Sequence, residues 1–490
     1  MVSERKLSRR QFLSTVGLVL AGTAVAACAP KTEEVVVETV VKEVEKVVKE
    51  TVIVEGTPKV VEKVVKETVI VEPMPAPKER VTVKFWYGWA TGAEADALQE
   101  MCGDAMEMHP EILVDNLPGA GWGLDQKVLT ALAGGAGPDI FCITNEGLDA
   151  AYVKRIVAPL SEYIEASTRY GLDSLNQQAW DLVTRDGVIN VMPFNYYCYS
   201  GLYYNKSMLA EAGLPTDHGP ETLQELFEWN EKLTIFDASG NLVRVGYMPT
   251  AAAAWNADPW AGWFNTQYYD PATKKLTLDN PEWVEVMEWL VSFSKFFGAA
   301  RWSSWASTYT PWMDAPNAAF PQELLAMVVE GPWAVKSLMK WNPDLLETTG
   351  LGWHPTKDQK KYQVWATWGG LLCSASRHKE EAWLLLEHLC SYEGQKTWHD
   401  HVGGLVPQKQ LAAEIQAEET DPMALWWWQT PDQQERSSFA RCPLWSEVII
   451  RLGGALSQIV AEGIADIEAV MSDIQADLQP QLDAMLSLMA

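Results

Sequence analysis

The chain is short of positive charge. Its 490 residues carry 38 Lys and Arg against 65 Asp and Glu, a formal charge of −27. Such a chain repels nucleic acid phosphates and anionic lipid heads, which excludes a general nucleic-acid or acidic-membrane binder. Familiar catalytic signatures are missing too. There is no Gly-x-Ser-x-Gly, no phosphate-binding P-loop and no Gly-x-Gly-x-x-Gly. Gly134-Gly135-Ala136-Gly137 follows a helix-like stretch, on the wrong side of it for a dinucleotide site. Histidine is scarce, and His399 and His401 stand two apart with no His-Glu-x-x-His nearby. No metal, no cofactor and no catalytic residue are therefore expected. Paired carboxylates are too plentiful to discriminate, so glycosidase chemistry stays open on acids alone. Of the 7 cysteines, those at 102, 142, 198, 373, 390 and 442 form no close pair. Cys142, Cys198 and Cys373 sit in apolar runs and read as buried thiols, with one disulfide left open.

What is present in excess is indole. There are 24 Trp against 15 Tyr and 12 Phe, and every Trp lies at or after Trp86. Each buried indole needs a partner for its N–H, so a set this large serves either a well-satisfied core or a ligand. Hydrophobic residues make up 48% of the chain, which excludes a largely disordered protein.

The first segment differs from the rest. Arg5, Lys6, Arg9 and Arg10 precede the apolar run Leu13–Val25, which is too short and too rich in small residues for a membrane span. Ser8-Arg9-Arg10-Gln11-Phe12-Leu13 resembles a twin-arginine export signal. Val25-Ala26-Ala27-Cys28 resembles a lipobox, which implies a signal over 1–27 and a diacylglycerol on Cys28. Two acyl chains suffice for stable anchoring.

Residues 28–80 read as a charged tether of Val, Glu, Lys and Thr. Glu-Lys-Val-Val-Lys-Glu-Thr-Val-Ile-Val-Glu occurs at 45–55 and again at 62–72, with Gly56-Thr57-Pro58 between the copies. Val37, Val40, Val41, Val44, Val47 and Val48 fall at helical spacing, while Thr51–Glu55 alternates like a strand. A self-repelling spacer and a short coiled coil both fit. Pro73, Pro75 and Pro77 end the segment.

From Val81 the pattern is mixed α/β. Strands are read at Val81–Tyr87, Ile112–Asn116 and Pro138–Ile143, with helices at Ala93–Met108 and Leu124–Ala133. This alternation predicts a parallel sheet with helices on both faces and ligands beyond the strand C-termini.

A resemblance joins these readings. The segments Val83-Lys-Phe-Trp-Tyr-Gly-Trp, His109-Pro, Leu129-Thr-Ala-Leu-Ala-Gly-Gly-Ala-Gly-Pro-Asp-Ile-Phe, Met192-Pro-Phe-Asn and Leu202-Tyr-Tyr-Asn-Lys come in order. They are followed by Ala212-Gly-Leu-Pro, Ala326-Met-Val-Val-Glu-Gly-Pro-Trp, Trp368-Gly-Gly and Lys379-Glu-Glu-Ala-Trp. The chain resembles an extracellular solute-binding protein of an ABC importer, in the family that includes the maltose-binding protein. Thr222 stands where that family usually has Trp.

The resemblance implies a two-lobe, periplasmic-binding-protein-like α/β fold with a hinge and an interlobe cleft. Lobe one would be 81–195 plus 365–410, and lobe two 196–364 plus 411–490. The crossings fall near Pro193–Tyr199 and His354–Trp365. Hinge closure on ligand contacts from both lobes would follow.

A cleft lined by indoles and a few acids or amides suits carbohydrate, because sugars present apolar C–H faces and a rim of hydroxyls. The resemblance puts Trp333 at a helix start facing the cleft. Trp89 follows the first strand. Asn145 and Glu146 follow the strand ending at Ile143, where a helix cap is the rival reading. Tyr196 and Tyr197 lie at the first crossing. Trp255 and Trp263 belong to one aromatic cluster and Trp312 to another. Trp368 and Gly369 follow the second crossing, where glycine lets backbone approach a ligand. Arg441 is a lone base that would suit an anionic group.

The expectation is an exported, lipid-anchored binding protein at the outer face of the membrane, not an enzyme. It would capture a solute, a sugar or oligosaccharide, and hand it to ABC permease subunits, with no nucleic acid partner. A secreted carbohydrate-active enzyme and a surface adhesion or sensing module are the alternatives.

Overall fold

The computed structural model describes residues 41–54, 57–70, 80–120, 126–169, 171–250, 257–438 and 442–488. The signal expected at 1–27, Cys28, Trp255 and Arg441 lie outside these. The chain divides into two compact units, Met1–Glu79 and Arg80–Ala490.

In the first unit, Val41–Val54 and Thr57–Ile70 pair as an antiparallel two-stranded sheet. The helical spacing of the valines is thus overturned for this stretch, and with it the coiled coil. Valine, isoleucine and threonine favour extended backbone. The repeat also supplies two matching strands, whose register sets Val47 opposite Val64, Glu45 opposite Lys66 and Lys49 opposite Glu62.

The second unit is built on two five-stranded sheets. The first runs in the order Ile112–Leu117, Val81–Trp86, Ile140–Thr144, Trp368–Leu372, Met192–Pro193. Val81–Trp86 is parallel to both its neighbours. Trp368–Leu372 is antiparallel to Ile140–Thr144, so the sheet is mixed where a parallel one was predicted. The reason is topological: this strand enters the lobe only after the chain has left for the second lobe and returned. Helices Ala93–Met108, Lys379–Leu389 and Tyr392–Val402 pack on one another beside this sheet.

The second sheet runs Ile235–Phe236, Leu242–Tyr247, Leu325–Glu330, Gly201–Asn205, Thr349–Trp353. Helix Leu223–Leu233 covers Leu242–Tyr247, and helix Pro281–Phe297 packs on the C-terminal helices Trp445–Glu462 and Ile467–Ser487. Thr222, the departure from the family pattern, caps the first of these helices by accepting the Glu225 N–H at 3.0 Å.

A third sheet joins the lobes. Tyr197–Cys198 pairs antiparallel with Tyr362–Ala366, whose other edge takes Arg436–Ser438 in parallel. The two predicted crossings therefore run side by side. The boundary expected at 410/411 falls inside helix Lys409–Glu418, which packs against Tyr392–Val402. Packing continuity extends the first lobe through that helix.

Candidate binding site

The aromatic residues between the lobes form a connected wall. On the first lobe, Trp89 lies just beyond the strand Val81–Trp86. Its ring is 4.5 Å from Trp368 and 5.6 Å from Trp398, both edge-on. Trp368 is fixed at the backbone, where its N–H donates to Asn195 Oδ1 at 2.7 Å. Its side chain hydrogen-bonds to Tyr197, on the first crossing. The Tyr197 ring meets Trp333 edge-on at 5.4 Å, and Trp333 lies stacked with Trp312 at 5.6 Å and 28°. The hinge thus carries the wall from one lobe to the other.

Glu330 organises the second-lobe end. It closes the strand Leu325–Glu330 and is fully buried. Its Oε1 accepts the Met313 N–H at 3.2 Å and its Oε2 accepts Trp333 Nε1–H at 2.8 Å. One carboxylate therefore sets both the Trp333 indole and the loop bearing Trp312. Gly331 is required here, since a Cβ would come 2.2 Å from the Trp333 ring. Burial pushes the Glu330 carboxyl up to about 8 against the two N–H donors.

Two further carboxylates face the hinge side. Glu146, in the first turn of helix Asn145–Val153, is buried and pushed up to about 7, chiefly by desolvation, with the charge of Asp258 adding to it. Its Oε2 has no hydrogen-bond partner among the described residues. Asp258, on helix Ala257–Trp263, is pushed up to about 6 by burial while accepting the Tyr268 hydroxyl at 3.1 Å and Trp445 Nε1–H at 3.0 Å. Asn145 accepts the Thr367 N–H at 3.0 Å, which leaves its Nδ2 unpartnered among the described residues. Neither Asn145 nor Glu146 caps the helix; that position is Thr144. Acceptors and donors held dry beside aromatic faces are the equipment for hydroxyls flanking an apolar ring.

A family model described as bacterial extracellular solute-binding protein matches residues 89–396. The chain belongs to this family. A maltotriose-binding protein of Pyrococcus abyssi is 25% identical to this solute-binding protein over 299 residues. That match takes in 59% of this chain and 58% of the relative, so the chain spans under two thirds of the relative's length. Among solved structures, CpMnBP1 with mannobiose bound shares the fold with a TM-score of 0.73 at 21% identity, covering 81% of this chain and 99% of that one. The Listeria monocytogenes protein Lmo0181 with cycloalternan matches at 0.66 and 18%, over 83% and 99%. The maltotriose-binding protein of Thermus thermophilus matches at 0.62 and 17%, over 82% and 100%.

Within this solute-binding protein, Trp89, Glu146, Tyr197, Trp312, Trp333 and Trp368 are brought together, with Asn145 beside them. Three predicted residues are placed elsewhere. Tyr196 stacks on Trp365 at 4.7 Å and gives its hydroxyl to Gln178, so it packs the back of the hinge. Trp263 is fully buried and lies flat on His354 at 3.7 Å, as part of the second-lobe core. Gly369 is glycine because of its own sheet: a Cβ would meet Val191 at 2.4 Å and the Met192 carbonyl oxygen at 2.5 Å. Sequence reasoning missed Asp258, Trp445 and the positioning role of Glu330. The first has a signal in hindsight, an acid set inside the Trp255–Trp263 cluster. All six cysteines named above are free and buried.

Proposed function

We propose that this solute-binding protein captures a sugar or oligosaccharide between its lobes and delivers it to an ABC permease. A lipid on Cys28 holds it at the outer face of the membrane. The observation that carries the sugar reading is the continuous aromatic wall Trp89–Trp368–Tyr197–Trp333–Trp312 beside the buried carboxylate of Glu146. Ring faces stack on C–H surfaces, and carboxylates accept pairs of hydroxyls. The ligands bound in the similar structures, mannobiose, cycloalternan and maltotriose, support the same class. Closure is then selection of the closed arrangement by a solute that touches both lobes.

The test is a thermal-shift panel of neutral mono- and oligosaccharides, including maltotriose and mannobiose, with chromatography of the same mixtures. At least one sugar should raise the melting temperature and emerge unchanged. A flat response to sugars with a shift for another solute class overturns the sugar reading. Released products would favour the secreted-enzyme alternative. Lipidation is tested separately, by the mass of the mature protein before and after Cys28→Ser.

A further inference from the structure

Helix Ala93–Met108 begins without a capping side chain of its own. Its N-cap residue is Gly92, at φ 100°, and no side chain of the cap accepts a first-turn N–H. The Ala93 N–H instead donates to Asp314 Oδ2 at 3.2 Å, across 221 positions of sequence. Asp314 belongs to the second lobe. The loop before it is tied down where the Met313 N–H meets Glu330. The other oxygen of Asp314, Oδ1, accepts Lys340 Nζ at 3.1 Å and Trp341 Nε1–H at 3.0 Å, both from helix Ala334–Trp341. Lys340 is itself held 4.8 Å over the Trp341 ring. One oxygen is thus anchored in the second lobe, and the other reaches into the first.

The surrounding backbone is shaped for this contact. A Cβ at Gly92 would sit 3.1 Å from Asp314 Oδ2, so a conventional Ser or Asp cap there would meet the incoming carboxylate. Gly403 and Gly404, at φ 79° and 87°, end helix Tyr392–Val402 on the same rim. A Cβ at Gly403 would come 2.7 Å from Lys336, and one at Gly404 would come 3.1 Å from Pro332, both on the second lobe. The lobes therefore meet at three glycines. Between them remains a cavity of about 20 Å³, bordered by Glu94, Asp314, Trp333, Lys336 and His401.

We propose that Asp314 is an interlobe clasp. It supplies from the second lobe the N-cap that the first helix of lobe one lacks, so the capping interaction exists only when the lobes are closed. Asp314 then tunes affinity without touching solute, because apparent affinity scales with the fraction of closed protein. The inference rests on the reading above, that the lobes close over a bound solute. It adds a specific positioning residue, and a sustained closed population before any solute arrives. Loss of an N-cap typically costs a helix enough to change an equilibrium roughly 2- to 30-fold.

The experiment keeps the two claims apart by using no sugar. Dyes are placed on added surface cysteines at Glu107 and Lys232, one on each lobe, in the mature chain. The six native thiols among the described residues are buried and do not compete, and Cys28 is replaced by Ser in the labelled protein. Single-molecule energy transfer then reads the closed fraction. Wild type should show a closed population, and Asp314→Ala should reduce it roughly 2- to 30-fold. Asp314→Asn, which keeps an acceptor but no charge, should fall between and guards against a merely unstable Ala variant. A wild type with a single open population, or a closed fraction unchanged in both variants, overturns the clasp. Failure of every sugar in the thermal-shift panel would instead overturn the solute reading and leave this result standing.

Discussion

Trp333 offers the sharpest perturbation, because its two functions are separable. Its half-buried ring, stacked with Trp312, would offer its remaining surface to a sugar, while its Nε1–H belongs to Glu330 at 2.8 Å. Burying roughly 100 Å² of apolar surface between an indole and a sugar is worth about 2.5 kcal/mol at ~25 cal/mol per Å². Trp333→Ala should therefore weaken binding of whichever panel sugar wild type prefers by roughly 60-fold. Trp333→Phe keeps part of the apolar face and should lose much less, on the order of tenfold. Its stability should fall more tellingly. Glu330 Oε2 loses the Trp333 donor at a fully buried site, which costs about 1–3 kcal/mol. Titration calorimetry reads the first effect and urea unfolding the second. Unchanged affinity in Trp333→Ala would refute the site. A Phe variant as weak as the Ala variant would refute stacking as the source of affinity.

Other consequences can be read in the same assays. Glu146 and Asp258 are pushed up to about 7 and about 6 by burial, so both bind protons better folded than unfolded. Their penalty is absent below the ordinary carboxylate range and grows as pH rises to 7; sugar-free melting temperature should fall between pH 5 and 8, and Glu146→Gln should flatten that fall while weakening sugar binding. Glu94, pushed up to about 7, faces Asp314, Lys340 and Lys336 from the second lobe, His401 from helix Tyr392–Val402 and Asp96 on its own helix. The closed fraction should accordingly be larger at pH 6 than at pH 8, with Glu94→Gln removing the difference. Gly331→Ala drives a methyl against the Trp333 ring and should lower both melting temperature and sugar affinity, whereas the same change at Gly453, which has nothing within 4 Å, should not. The six buried thiols should resist a thiol reagent in native buffer and all react in denaturant, because desolvation holds Cys102, Cys198, Cys373 and Cys442 near 12.

Local chemistry explains which parts were legible beforehand. Helix Ala93–Met108 was readable to the residue, because His109-Pro110 stops it and its apolar positions recur at helical spacing. The strand at Ile140 was readable because five consecutive buried residues have no room for another pattern. The tether was ambiguous, since Val-Val spaced by Lys and Glu satisfies periods of 3.6 and of 2 together; only the pairing of one repeat copy with the other selects between them. Trp89, Tyr197, Trp333 and Trp368 stood out because they follow strands or sit at crossings, where side chains meet a cleft. Tyr196 and Tyr197 cannot both face it, and the sequence does not say which one turns inward. Trp445 and Asp314 were invisible for a different reason. Their partners Asp258 and Ala93 lie far along the chain, and only the fold brings them together.

The most direct test of the account is a structure of the mature protein with its best panel sugar bound. A sugar ring should lie against Trp333, with hydroxyls within hydrogen-bond distance of Glu146 and Asp258 and contacts to both lobes. A sugar seated away from the Trp333 and Glu146 wall, or touching one lobe only, would contradict it.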